Sequence, residues 1–130
     1  MTNIATREQF DGMLREEQAV LFAFFAWSGQ AHSSLRVFEE WEREWRTLHS
    51  DAPVSFYCLD PDSFGESRDW LVEQARGSDG VEAGYGSVTW LRHGKRIGFI
   101  PYAAKVGKDT LSHLTGDRFG SVNAAFRCGG

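Results

Sequence analysis

The residues of this sequence that could do chemistry are concentrated in one turn and two separate cysteines. The stretch Trp27-Ser28-Gly29-Gln30-Ala31 follows an unbroken apolar run and opens a segment with helical periodicity. Ser28 stands where a side-chain oxygen can accept a hydrogen bond from a first-turn backbone N–H. A serine nucleophile would need an adjacent base held by a third group, and His32 is the nearest candidate base. We therefore favour a helix cap at Ser28 over hydrolytic chemistry, and we expect Ser33 and Ser34 to solvate the same turn.

The two cysteines differ in their surroundings. Cys58 lies in the middle of an apolar run, 54–59, so we expect a buried thiol that behaves as a small, inert hydrophobe. Cys128 lies beside Arg127 near the end of the chain, and it is the candidate reactive thiol; the alternative is a tail thiol without a role. Two cysteines cannot make a disulfide framework, which favours a cytoplasmic protein with free thiols.

Composition excludes several classes of partner. A formal net charge of −4 argues against a nucleic-acid partner, because phosphate binding needs a basic surface. No apolar run is long enough to cross a membrane, and the first residues lack the pattern of a signal peptide. The four histidines are scattered without metal-ligand spacing, and no phosphate-binding glycine loop is present. We expect no metal and no cofactor.

Hydrophobic periodicity predicts an alternating α/β chain in the order α-β-α-β-α-β-β-α. Strands separated by helices pair in parallel through right-handed crossovers, and the closing hairpin at His93-Gly94 adds antiparallel strands. The sequence thus predicts a mixed sheet with helices on both faces. With 130 residues there is room for one domain, which we place at 1–115, followed by a tail at 116–130. The predicted helices are about 6–18, 30–48, 66–76 and 108–114, and the predicted strands are 19–26, 54–59, 87–92 and 96–100.

This order of elements resembles the thioredoxin fold over residues 6–115, and several motifs add to the resemblance. The run 20–27 is similar to the strand that leads into a thioredoxin active site, and Trp27–Ala31 stands where that family carries Trp-Cys-Gly-Pro-Cys. Leu59-Asp60-Pro61 resembles the end of the family's next strand. Tyr85-Gly86-Ser87 and 91–95 resemble its cis-proline loop and closing hairpin. The chain is identified as a divergent member of the thioredoxin-like superfamily.

The departures from the family pattern bear on activity. Dithiol exchange needs a thiolate to attack a disulfide and a second thiol to resolve the mixed species. A helix N-terminus lowers a cysteine pKa into the useful range, but a hydroxyl starts far too high and a methyl group carries no reactive atom. The resemblance therefore implies a redox-inactive site. The substituted positions are Ser28 and Ala31 for the two cysteines, Gln30 for the proline between them, Gly86 for the cis-proline, Phe22 for a buried acid and Arg36 for a helix-kinking proline.

The resemblance also implies a shallow apolar groove that holds an extended peptide by backbone pairing. We expect a non-catalytic, protein- or peptide-binding module of the assembly or chaperone type, whose partner and oligomeric state the sequence leaves open. The alternatives are a thiol-disulfide oxidoreductase that uses Cys128 or Cys58, and a glutathione-binding relative. The groove is expected to be lined by Trp27, Ser28, Gly29, Gln30, Tyr85, Gly86 and Ser87.

Overall fold

Five strands and four helices alternate along the residues that the computed structural model describes, which are 1–49, 54–62, 65–74 and 84–119. Their order follows the predicted alternation, with one additional strand at the start. The elements are β1 (Thr2–Ile4), α1 (Arg7–Arg15), β2 (Gln18–Ala23), α2 (Gly29–Leu48), β3 (Ser55–Leu59), α3 (Gly65–Gln74), β4 (Ser87–Arg92), β5 (Lys95–Ile100) and α4 (Ala103–Phe119).

The strands form one mixed sheet in the order β1-β3-β2-β4-β5. β2 is the central strand, parallel to β3 and antiparallel to β4, and every one of its residues is buried. This burial explains why the sequence of β2 is a continuous apolar run rather than an alternating one. β1 lies parallel to β3 at one edge, and β5 lies antiparallel to β4 at the other. The predicted mixed sheet is confirmed.

Two hydrophobic clusters cover the two faces of the sheet. One joins α1 and α3 to alternate residues of the strands, including Leu21 and Leu59. The other joins α2 and α4 to the intervening residues, including Val20, Phe22 and Cys58. Because successive strand residues point to opposite faces, β2, β3 and β4 each supply both clusters, whereas β1 supplies only Ile4, to the first. Helices therefore pack on both faces, as predicted.

The structure corrects two predictions about the first strand and the last helix. β1 was missed, because it is a short edge strand whose one buried residue, Ile4, gives no periodic signal. The last helix was predicted as 108–114, but it runs from Ala103 to Phe119. Gly107 interrupts it with φ 82° and ψ 169°, so the helical periodicity is broken near its start. The boundary placed at 115/116 remains a prediction, and the tail beyond Phe119, with Cys128, lies outside the described residues.

The other boundaries were predicted to within about two residues, except that α1 ends at Arg15 rather than near 18 and β2 at Ala23 rather than at 26. The hairpin between β4 and β5 turns at His93 and Gly94, both with positive φ, as a two-residue turn between twisted strands requires. α2 runs uninterrupted from Gly29 to Leu48, consistent with the absence of a proline at Arg36.

The end of β2, the start of α2, the start of β4 and the start of α4 all lie at one end of the sheet, because Ala23 pairs with Ser87 and the N–H of Ala103 donates to the carbonyl of Gly86.

Candidate functional site

Ser28 caps α2 at the centre of this end of the sheet. Its Oγ accepts a hydrogen bond from the backbone N–H of Ala31 at 3.2 Å and donates to Oε1 of Gln30 at 3.2 Å. The side chain is almost fully buried, and its backbone is extended, as an N-cap requires. The predicted cap is confirmed. Ser28 thus both donates and accepts within its own turn.

His32 is not arranged as a base for Ser28. Its Nε2 lies 2.9 Å from the carbonyl oxygen of Ala26, to which it donates, and its ring meets the Phe24 ring edge-on at 5.0 Å. The Ser28 hydroxyl is engaged by Gln30 instead. Nucleophilic serine chemistry needs the base to accept the hydroxyl proton, so the described residues do not contain this arrangement.

Trp27 is the most exposed aromatic residue at the site, with 63% of its surface accessible. Its indole Nε1 donates to Oδ2 of Asp62 at 2.9 Å, and Asp62 in turn accepts from Arg68 at 3.1 Å. The ring also lies over Gly84, where an added Cβ would come within 2.7 Å of it. The orientation of this exposed ring is therefore fixed from two sides.

Tyr85 presents a second exposed ring beside the turn. It is 38% accessible and stacks on Tyr102, with ring centroids 5.0 Å apart and planes 11° from parallel. Tyr102 belongs to the loop that precedes α4. The Trp27 ring lies over Gly84, the neighbour of Tyr85 in the chain, and Tyr85 stacks on Tyr102. We call these three residues, Trp27, Tyr85 and Tyr102, the aromatic face.

The remaining predicted groove residues contribute less side-chain surface. Gly29 and Gln30 are exposed in the first turn of α2, whereas Gly86 is buried. Ser87 is almost fully buried, and its Oγ has no hydrogen-bond partner among the described residues. Ser87 pairs with Ala23 across the sheet, on the face that carries α1 and α3. The exposed side-chain surface here is therefore provided by the aromatic rings of Trp27 and Tyr85 and not by Ser87; the groove itself remains a prediction.

Gly86 and Ser34 fit together where the similar family has a cis-proline. Gly86 has φ +94°, and an added Cβ would lie 2.4 Å from the Cβ of Ser34 and 3.0 Å from Cζ of Phe22. No cis peptide bond occurs among the described residues. Proline fixes φ near −65° and adds ring atoms, so it is incompatible with this arrangement.

The prediction that Ser34 solvates the helix start is wrong, because the structure shows that its side chain is fully buried. Its Oγ donates to the carbonyl oxygen of Tyr85 at 2.6 Å and accepts from the backbone N–H of Ala104 at 3.1 Å. These partners lie 51 and 70 residues away in the chain, so no local pattern could have revealed them. Ser33, its neighbour, is exposed as expected.

Cys58 lies in the apolar cluster under α2 and α4. Burial raises the pKa of its thiol to about 12, and the negative charges of Glu39 and Asp60 act in the same direction. A thiol with that pKa carries almost no thiolate near neutral pH, and the thiolate is the reactive form. The predicted burial of Cys58 is confirmed, and its environment does not favour exchange chemistry.

Other ligand classes find no support in the part of the chain that the structure describes. No group of three or more His, Cys, Asp or Glu side chains is arranged to hold a metal ion there. None of the helices in the described ranges is both long and apolar enough to cross a membrane.

Comparison with solved structures identifies the fold. The oxidised thioredoxin of Plasmodium falciparum aligns with a TM-score of 0.65 and 14% identity, covering 92% of this chain and 98% of that one. Mitochondrial thioredoxin 3 of Saccharomyces cerevisiae aligns at 0.62 and 14%, covering 90% and 94%. A putative oxidoreductase with a thioredoxin fold aligns at 0.63 and 10%, covering 86% and 90%. No protein-family model matches the chain, and no curated protein matches it.

The chain therefore has the thioredoxin fold. Within that fold, a serine cap and an alanine methyl occupy the turn at which the sequence resembles the dithiol motif. The arrangement offers an ordered aromatic face and no thiol among the described residues of the site.

Proposed function

We propose that this chain is a redox-inactive, protein- or peptide-binding module, of the assembly or chaperone type, that binds its partner on the aromatic face. The observation that carries the proposal is the exposure of Trp27 and Tyr85 beside a turn without thiols. Tryptophan and tyrosine supply large contact areas and dominate the binding energy of many interfaces. A fold that keeps such rings exposed next to a chemically inert turn is suited to binding.

The fixed orientation of these rings supports the proposal. Asp62 holds the indole of Trp27, and Tyr102 stacks on Tyr85. Ordering side chains on association costs free energy, and a surface that is already ordered avoids part of that cost. The carbonyl oxygens of Tyr85 and Gly86 already accept hydrogen bonds from Ser34 and Ala103. We infer that the ring faces, more than these two carbonyls, contact the partner.

A photo-crosslinking amino acid at position 85 tests the location of the binding surface in cells. The matched control carries the same group at Leu48, which is 77% exposed. Leu48 lies about 21 Å along α2 from Ser34, the residue that bonds the Tyr85 carbonyl, at a rise of about 1.5 Å per residue. We expect a defined protein to be crosslinked from position 85, and we expect that protein not to be crosslinked from position 48. Equal capture at both positions would contradict the proposal.

The captured protein, once purified, is then titrated against the wild type and three variants. Trp27→Ala and Tyr85→Ala are expected to weaken binding by about 10- to 30-fold each, the range of interface hot spots near 2 kcal/mol. Leu48→Ala should bind as the wild type does. Because Trp27 and Tyr85 are exposed, unchanged thermal unfolding will show that the fold is intact. Wild-type affinity in both aromatic variants would refute the proposed surface.

A further inference from the structure

The loop 84–87 carries one ring of the aromatic face, yet its own sequence does little to fix its conformation. Gly84 and Gly86 both have positive φ, at 72° and 94°. Glycine adopts many conformations at low cost, so an ordered glycine must be held by its surroundings. The contacts that hold this loop therefore determine the position of Tyr85.

Ser34 makes the contacts that join this loop to both neighbouring helices. A serine inside a helix commonly bonds the carbonyl four residues earlier or solvent. Ser34 instead donates across the structure to the carbonyl of Tyr85 and accepts from the N–H of Ala104. One oxygen atom thus connects α2, the loop and the start of α4.

The start of α4 shows why this oxygen is needed. The first N–H groups of a helix have no partner within the helix. The N–H of Ala103 donates to the carbonyl of Gly86 at 2.9 Å, and that of Ala104 donates to Ser34 Oγ at 3.1 Å. The first two of these donors are thus satisfied by the loop and by Ser34, and the next two, Lys105 and Val106, donate to the carbonyl of Tyr102. The start of α4 and the loop are held as one unit.

We propose that the Ser34 hydroxyl is an internal latch that fixes the loop 84–87 against α2 and α4, and thereby sets the position of Tyr85 in the aromatic face. It does so where the similar family has a proline. The latch is a property of the unbound chain and does not depend on the proposed function, so its test needs no partner.

Native-state amide hydrogen exchange of the full chain provides the test. In the wild type, the Ala104 amide is expected to be protected although it lies in the first turn of a helix. In Ser34→Ala it should exchange about 5- to 30-fold faster, the loss expected when a hydrogen bond worth roughly 1–2 kcal/mol is removed. The Ala103 amide, which donates to the Gly86 carbonyl, should also accelerate. Ser33→Ala, one residue away and exposed, is the matched control and should exchange as the wild type does.

The Phe22 amide separates a latch from a general loss of stability, because Phe22 lies in the central strand. The proposal expects the Ala104 and Ala103 amides to accelerate more than the Phe22 amide does. Uniform acceleration of all these amides in Ser34→Ala would overturn it. An unprotected Ala104 amide in the wild type would also overturn it, and that result requires no variant.

Discussion

Replacing Gly86 with alanine would place a methyl group against the centre of the candidate site. The added Cβ would lie 2.4 Å from Ser34 Cβ, 2.8 Å from Ser34 Oγ and 3.0 Å from Phe22 Cζ. Both neighbours are fully buried, so neither can move into solvent. The φ of +94° at this position is also unfavourable for any residue with a Cβ.

Backbone strain and overpacking both contribute to the loss of unfolding free energy expected for Gly86→Ala. A left-handed backbone costs an L-residue about 1–2 kcal/mol, and overpacking a well-packed core costs about 1–3 kcal/mol. Gly86→Ala is therefore expected to lower the free energy of unfolding by about 2–5 kcal/mol. Because small domains are stable by about 5–15 kcal/mol, a shift of this size is readily measured by urea denaturation.

A double-mutant cycle isolates the contact with Ser34. Gly107→Ala provides a first control, because Gly107 also has positive φ but no atom lies near its added Cβ, so backbone strain is its main cost. Ser34→Gly removes the side chain that the new methyl group would meet. We expect Gly86→Ala to cost at least 1 kcal/mol less in the Ser34→Gly background than in the wild type. Costs that add within about 0.5 kcal/mol, the limit for independent sites, would refute the close packing of the two positions.

Two further predictions concern the cap and the buried thiol. Ser28→Ala should destabilise the chain by about 1 kcal/mol, the usual cost of losing an N-cap, as measured by urea denaturation, whereas Ser33→Ala should change stability by less than about 0.5 kcal/mol; equal values for the two variants would contradict the cap. Burial raises the pKa of the Cys58 thiol to about 12, so the folded state favours the protonated thiol. The stability that this group contributes to the folded state is complete below the pKa of the unfolded thiol. It is lost as the pH rises towards 12. The wild type should lose up to about 1.4 kcal/mol per pH unit in this range, Cys58→Ala should show a flatter pH dependence of unfolding, and parallel curves would show that Cys58 does not contribute.

The sequence predicted most of the fold because its strongest signals are local or periodic. The buried run of β2, the Ser28 cap and the His93-Gly94 turn each carry their information within a few residues. β1 was missed because a three-residue edge strand is too short to show a recognisable alternation of apolar and polar residues. α4 was predicted too short because Gly107 interrupts its pattern.

The candidate site was only partly predictable, because several of its residues are defined by contacts between distant parts of the chain and not by local sequence. Trp27 and the missing thiols were visible in one turn, and Tyr85 was found through the resemblance of its loop. The roles of Ser34, Asp62 and Tyr102 depend on tertiary contacts between distant parts of the chain. A serine in a helix start carries no sequence signal that distinguishes a solvated hydroxyl from a buried one that bonds a distant loop.

We have proposed that this thioredoxin-fold chain acts without dithiol chemistry. The most direct test is a protein disulfide-reduction assay with insulin and a chemical reductant, in which the wild type is compared with Cys58→Ala and Cys128→Ser and with a dithiol thioredoxin as positive control. We predict that the wild type and both variants reduce insulin no faster than the reductant alone. Catalysis by the wild type that is lost in either cysteine variant would contradict it.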